Sequence, residues 1–201
     1  RLDVGSGSSV DVHTPFVEEH GLAKRMGRTI PIMAGGFGGM FPELACRART
    51  FTLGPFTIEE PLAALSQATT GAFASRDYAG NVGNLVLDRF TCTFDYRRKV
   101  LYLRPNRRFS ERDPGDKFGA LVQKDGGTFT GGHVVPGSPA AKAGLRTGDR
   151  VVTVASRPIE TYTPDELRGM YENSPDGTRV TVGIERDGKR KILTVTLRSQ
   201  V

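Results

Sequence analysis

The chain has 201 residues, of which 37% are hydrophobic and 25% are charged, a balance typical of a globular protein with one large domain or two small ones. The net charge of +6 comes from short groups of Lys and Arg without interleaved aromatic residues, so nucleic-acid binding is not expected. No apolar run approaches the roughly 18 residues that span a bilayer. The spacing of the three histidines and two cysteines indicates neither a metal site nor a disulfide scaffold, and leaves a single Cys46–Cys92 bridge open.

The chain starts with Asp3-Val4-Gly5, followed by Ser-Gly-Ser-Ser. A Gly-Ser run taken alone is typical of an inert linker. The alternation of Val10–Val12 predicts a short strand. Thr14-Pro15 then predicts the N-cap and first turn of a helix that runs to about His20 and is ended by Gly21.

Two extended stretches, Ile30 to Met33 and Leu44 to Leu53, flank a glycine-rich segment. We expect a hairpin whose tip is a mobile flap, with a plain loose turn as the alternative. The residues of this predicted flap are Gly35, Gly36, Phe37, Gly38 and Gly39.

The sequence GNVGNLVLDRF then carries apolar residues from Leu85 to Leu87 at helical spacing. Thr91 to Tyr96 and Val100 to Leu103 are predicted to form a hairpin across a basic turn. Residues 106–116 are polar and contain proline. They predict a linker between a domain of residues 1–105 and a domain of residues 117–201.

The C-terminal part carries several local patterns that predict secondary structure. Ser138-Pro139 begins a short helix that Gly144 ends, and Val151 to Val154 reads as a buried strand. Thr163 and Glu166 form a capping-box pair for a helix that runs to about Glu172. A final hairpin is predicted around Asp187-Gly188, a pair that favours positive φ angles.

The stretch GHVVPGSPAAKAGLRTGDRVVTVASRPI resembles the PDZ domains of bacterial secreted and periplasmic proteases. The resemblance implies a β-sandwich or partly open barrel with two helices, in which a peptide joins an exposed strand as an additional strand. It also implies that backbone amides near Phe118 and Gly119 capture the terminal carboxylate of a C-terminal peptide. The implied groove residues, for which plain helix or core packing is the alternative, are Phe118, Gly119, Ala120, Leu121, Leu167, Met170 and Tyr171.

The Asp-Val-Gly loop, the glycine-rich hairpin and the GNVGN step stand in the order found in retropepsin-like aspartic proteases. The first domain therefore resembles a retropepsin-like β-barrel lobe, and the whole chain resembles bacterial aspartyl proteases that carry a C-terminal PDZ domain. The resemblance implies that Asp3 is a catalytic carboxylate. It also implies that Val4, Gly5 and Ser6 complete the catalytic loop, and that no cofactor is required.

Aspartic proteases place two carboxylates against one water molecule and keep one proton on the pair. The chain offers a single carboxylate of this kind, so the second is expected from a preceding lobe or from a homodimer partner. Val4 stands where the family carries Thr or Ser, whose hydroxyl bonds across the lobes. By itself, the chain is expected to be nearly inactive.

Three functions compete. The first is an aspartic endopeptidase that acts on peptides or unfolded proteins, which the resemblance places in the periplasm or outside the cell. The second is a non-catalytic peptide-binding adaptor with a degenerate lobe, an interpretation favoured by Val4. A trypsin-like protease is disfavoured, since about 105 residues are too few for a double barrel and a Gly-Asp-Ser-Gly loop is lacking.

Overall fold

The computed structural model describes residues 1–36, 39–125 and 128–201. By their contacts they divide into two units: the first is Arg1–Asp113 together with Val201, and the second is Pro114–Gln200. Both units are mainly β, as the sequence predicts. Within the described ranges, no helix is long and apolar enough to cross a membrane.

The first unit is built from short strands with three small helices and a 3-10 turn at Ala72–Ala74. In chain order its elements are β1 (Val10–Val12), α1 (Thr14–Glu19), α2 (Leu22–Arg25), β2 (Ile30–Gly36), β3 (Gly39–Arg47), β4 (Thr50–Leu53), β5 (Phe56–Glu59), β6 (Leu62–Ser66), β7 (Gly80–Val82), α3 (Asn84–Leu87), β8 (Phe90–Asp95) and β9 (Val100–Pro105).

The main sheet of this unit has the strand order β2-β3-β6-β1-β7, in which β1 runs parallel to β6 and antiparallel to β7. Successive side chains of a strand point to opposite faces. Ala63 and Leu65 of β6 therefore share one face with Cys46 of β3, and all three pack with Val17 of α1 in a hydrophobic core. The hairpins β4-β5 and β8-β9 are separate two-stranded sheets.

The predicted strand Val10–Val12 and the hairpin β8-β9 are confirmed. The predicted cap of α1 is wrong, because His13 is the N-cap residue and Thr14 is the first residue of the helix. The Thr14 hydroxyl donates instead to Ser66 Oγ at 3.1 Å. This contact fastens the helix to β6.

Residues 106–113 belong to the first unit, although the sequence predicts a linker over 106–116. The reason is a buried ion pair, in which Arg89 Nη2 lies 2.5 Å from Asp113 Oδ1. Arg89 also donates to the carbonyl of Phe109 at 2.9 Å, and Asp113 Oδ2 accepts from the amide of Leu62 at 2.8 Å. These contacts place the division between the units just after Asp113.

The described residues of the second unit form a six-stranded sheet with two α-helices and a 3-10 turn at Ile159–Thr161. Its elements are β10 (Ala120–Asp125), β11 (Thr128–Val134), α4 (Pro139–Lys142), β12 (Arg150–Val154), β13 (Arg157–Pro158), α5 (Pro164–Asn173), β14 (Arg179–Arg186) and β15 (Lys189–Thr196). The strand order is β10-β11-β12-β14-β15, and β13 pairs with β12. The strand β10 therefore lies at one edge of the sheet.

The local predictions for this unit are confirmed. The Ser138 side chain caps α4 by accepting from the amide of Ala141 at 3.2 Å. Thr163 and Glu166 form the full capping box of α5. Asp187 and Gly188 both have positive φ in the turn of the final hairpin.

Candidate catalytic loop and peptide groove

Asp3 is held at a tight loop in the first unit. Its amide donates to the carbonyl of Val82 at 2.9 Å, and its carbonyl accepts from the amide of Ser6 at 3.1 Å. Its side chain is 31% exposed and accepts from the amide of Gly5 at 3.2 Å, while Arg1 forms an ion pair with it at 3.4 Å. The backbone thus fixes the carboxylate while one side of it stays accessible.

The GNVGN step packs against this loop. The Asn84 side chain donates to the carbonyl of Val4 at 2.9 Å, and the Asn84 amide donates to the carbonyl of Ser6 at 2.9 Å. Gly83 approaches so closely that a Cβ there would lie 2.4 Å from the carbonyl oxygen of Ser8. Only glycine fits at this position without displacing the loop.

The serine hydroxyls of the loop bond to another carboxylate, that of Asp11 on β1. Ser8 Oγ donates to Asp11 Oδ2 at 2.5 Å, and the hydroxyls of Ser6 and Ser8 are 2.7 Å apart. Burial raises the pKa of Asp11, and the negative charge of Asp3 adds to the rise against the opposing hydrogen bonds. The sequence alone did not single out Asp11, although a charged residue between two valines of a buried strand was a usable signal.

The structure describes Val4 and three residues of the predicted flap, Gly35, Gly36 and Gly39. Val4 is 64% exposed. Strands β2 and β3 form the predicted hairpin, with Gly35 opposite Met40 and Gly36 opposite Gly39. The remaining flap residues, Phe37 and Gly38, lie outside the described residues.

One face of the main sheet is polar although it is buried. Asp11 pairs with Asn81 on β7, and Glu43 of β3 pairs with Ser66 on β6. The register puts the four side chains on the same face, opposite the hydrophobic core, and all four are buried. Burial, with the charge of Asp11 as a second cause, raises the pKa of Glu43 to about 8.

Glu43 makes the stability of the first unit depend on pH. Between about pH 4.5 and pH 8 the folded chain keeps a proton that the unfolded chain releases, so the free energy of unfolding falls as pH rises. The expected contribution is a loss of roughly 1.4 kcal/mol per pH unit, complete above pH 8. Glu43→Gln should remove it, as measured by urea unfolding followed by circular dichroism from pH 5 to pH 9.

The matched control is Glu59→Gln, which changes an exposed glutamate on β5. This variant should keep the wild-type dependence on pH. Identical pH slopes for the wild type and Glu43→Gln would contradict the assignment.

Five of the seven predicted groove residues belong to one packed cluster in the second unit: Phe118, Ala120, Leu167, Met170 and Tyr171. The ring of Phe118 stacks on that of Tyr171, with centroids 4.3 Å apart and planes at 8°. Leu167 and Tyr171 are buried in the hydrophobic core. Core packing, the alternative to a role in the groove, therefore accounts for both. Ala120 and Met170 are partly buried beside them. Leu121 on the edge strand is 40% exposed.

The amides at the start of β10 already have an acceptor. The Phe118 amide donates to Asp116 Oδ1 at 2.8 Å, and the Gly119 amide donates to Asp116 Oδ1 and Oδ2 at 3.1 and 3.0 Å. Gly119 has a φ of +79°, and a Cβ there would lie 2.2 Å from Ser138 Cβ. Asp116, which the sequence did not single out, therefore accepts from both amides that the sequence predicts to capture a peptide carboxylate.

The described ranges hold neither a metal-binding cluster nor a disulfide bond. They contain no group of three or more His, Cys, Asp or Glu side chains placed to hold a metal ion. Cys46 and Cys92 are free thiols, so the bridge left open by the sequence is absent.

Comparison with known proteins identifies the class of the second unit. Residues 133–186 match the sequence profile of the PDZ domain. The periplasmic pH-dependent serine endoprotease DegQ of Escherichia coli (strain K12) is 38% identical over 65 residues, which are 32% of this chain and 14% of that protein. The magnetosome formation protease MamE of Magnetospirillum gryphiswaldense is 40% identical over 62 residues, which are 31% of this chain and 8% of that protein.

One similar solved structure is the HtrA-type protease AlgW with a decapeptide. The superposition covers 86% of this chain and 61% of the AlgW chain, with 16% sequence identity and a TM-score of 0.39. This superposition is too weak to extend the assignment of fold. The chain thus contains a PDZ domain and is similar to bacterial proteases over short stretches. The comparisons do not support the retropepsin-like interpretation of the first unit, and DegQ is named as a serine protease.

Proposed function

We propose that this chain belongs to an endopeptidase in which the first unit supplies one of two catalytic carboxylates and the PDZ domain binds substrate peptide. The observation that carries the proposal is the loop around Asp3. Its carboxylate is partly exposed, its backbone is fixed by Val82, and the Asn84 side chain holds the neighbouring carbonyl of Val4. This is the arrangement needed to present a carboxylate rigidly to a water molecule.

The proposed chemistry is that of an aspartic protease. One carboxylate of a close pair is ionised and withdraws a proton from water, while the other is protonated and donates to the carbonyl oxygen of the peptide bond. Asp11 is not the second member of the pair in this proposal, because it is buried and accepts from the Ser8 hydroxyl. A second Asp-bearing lobe or a second copy of the chain supplies the missing carboxylate.

The relatives raise the alternative of serine-protease chemistry. A serine nucleophile needs a histidine base that is itself oriented by a third group. His13 is buried, yet neither ring nitrogen has a hydrogen-bond partner in the described part of the chain. Within that part, His13 therefore lacks the orienting group that such a base requires.

The PDZ domain is proposed to bind peptides by strand addition. Strand β10 lies at the edge of its sheet, and the exposed Leu121 is on that strand. An extended peptide would pair with its backbone while side chains contact α5. A more specific form of this proposal is the binding of C-terminal peptides. It requires the amides of Phe118 and Gly119, which now donate to Asp116.

The second candidate function is a non-catalytic peptide-binding adaptor. The specific observation in its favour is Val4, which is exposed and has no hydroxyl for a bond across lobes. For either function, the periplasm is the proposed compartment, because DegQ is named as a periplasmic protein.

A peptidase assay of the 201-residue chain as a monomer tests whether the catalytic site needs a second carboxylate from outside the chain. With a single loop carboxylate it should hydrolyse unfolded protein no faster than its Asp3→Asn variant. The measurement is release of acid-soluble peptides from a reduced, denatured substrate between pH 3 and pH 8. Robust cleavage by the monomer that Asp3→Asn abolishes would contradict the need for a second lobe.

A further inference from the structure

A carboxylate already occupies the position at which a PDZ groove would meet the end of a peptide. The amides of Phe118 and Gly119 both point at Asp116, with three N–H···O distances between 2.8 and 3.1 Å. Hydrogen bonds to an ionised acceptor are about twice as strong as neutral ones. A peptide carboxylate would have to replace bonds of the same kind, so it would gain little.

The Asp116 carboxylate is held from a second side. Gln200 Nε2 donates to Asp116 Oδ2 at 3.1 Å, and the Gln200 side chain is buried. Lys117, the cation next to Asp116 in the sequence, bonds to other groups. Its Nζ donates to the carbonyl of Ser174 at 2.7 Å and lies 3.5 Å from the carboxylate of Asp176. The position of Asp116 is therefore fixed by contacts outside its own turn.

The charge of Asp116 reaches the helix side of the groove. Burial is the largest cause that raises the pKa of Tyr171 and Glu172, and the negative charge of Asp116 adds to the rise in both. A terminal carboxylate entering here would meet the negative charge of Asp116. Like charges repel, most strongly where water is excluded.

From these contacts we infer that Asp116 fills the terminal-carboxylate position of the groove, so that the PDZ domain selects segments within a chain rather than chain ends. The inference rests on the proposed binding of peptides along β10. The ligand class is an extended, unfolded segment with no free terminus, as an endopeptidase substrate presents. The edge strand and α5 remain available to it, since neither depends on the amides that Asp116 engages.

The test compares an array of octapeptides ending in valine, each made as the free acid and as the C-terminal amide. Wild-type protein should bind the two forms with dissociation constants within about twofold of each other. Asp116→Ala exposes the two amides and removes the repulsion, so the free acid should then bind about tenfold more tightly than the amide. Glu160→Ala removes an exposed acidic charge elsewhere in the unit and should leave the ratio unchanged.

Asp116→Asn provides a second variant if the alanine form does not fold. It keeps an acceptor of the same shape without the charge, so a smaller shift towards the free acid is expected. A wild-type preference of tenfold or more for the free acid, unchanged in both variants, would overturn the inference while leaving peptide binding intact. Failure of the wild type and the variants to bind either form would overturn the proposed function of the groove and the inference with it.

Discussion

Replacing Arg89 with methionine should lower the free energy of unfolding of the first unit by about 3–5 kcal/mol. The guanidinium and the carboxylate of Asp113 are 6% and 2% exposed and 2.5 Å apart. Methionine fills similar space but leaves Asp113 as an uncompensated buried charge. It also leaves the carbonyls of Phe109 and Leu85 without the donors that Arg89 now supplies at 2.9 and 3.1 Å.

Two further variants separate the lost ion pair from the lost packing. Arg108→Met removes an exposed arginine that pairs with Asp88 and Glu111, and it should cost less than about 1 kcal/mol. The double variant Arg89→Met with Asp113→Asn should recover part of the loss, because asparagine is neutral and can still accept from the amide of Leu62. Urea unfolding gives each free energy. A loss below 1 kcal/mol for Arg89→Met would show that the pair does not fasten residues 106–113.

Features set by neighbouring residues were predictable from the sequence. The capping box of Thr163 and Glu166 and the turn at Asp187-Gly188 each depend on a few adjacent residues, and both are confirmed. The contact between Asn84 and the carbonyl of Val4 joins residues 80 positions apart, so no local pattern in the sequence predicts it.

Features set by tertiary contacts were not predictable in this way. Residues 106–113 are mostly polar, as a linker is. Their packing shows only in the structure, where Asp113 pairs with Arg89 and the ring of Phe109 contacts Phe90. Asp116 looks like one more charged residue of the same segment until its distances to the amides of Phe118 and Gly119 are known. The buried face formed by Asp11 and Glu43 depends on strand register, which the sequence did not specify.

The full-length enzyme is here the proposed one, in which a second lobe or a second copy supplies the other carboxylate. Asp3→Asn should lower its peptidase rate by about a thousandfold or more, since general acid–base catalysis by the pair is then lost. Asparagine keeps the shape of the side chain and can still accept from the amide of Gly5. The loop should therefore stay folded, because the bonds from Asn84 to Val4 and Ser6 do not involve the carboxylate.

The pH dependence of the rate is part of the same expectation. One carboxyl of the pair must be protonated while the other is ionised, so the rate should pass through a maximum on the acidic side of neutrality. Asp88→Asn is the matched control, since Asp88 is exposed in the same unit and pairs only with Arg108 among the described ion pairs. It should keep the rate and the shape of the profile.

The decisive measurement is the rate of hydrolysis of an unfolded protein by the full-length wild type and its Asp3→Asn variant at the acidic optimum. Circular dichroism should show that both are folded. We expect the variant to lose activity by at least about a thousandfold while Asp88→Asn loses none. Activity of Asp3→Asn within a few-fold of the wild type would contradict the claim that the loop at Asp3 contributes a catalytic carboxylate.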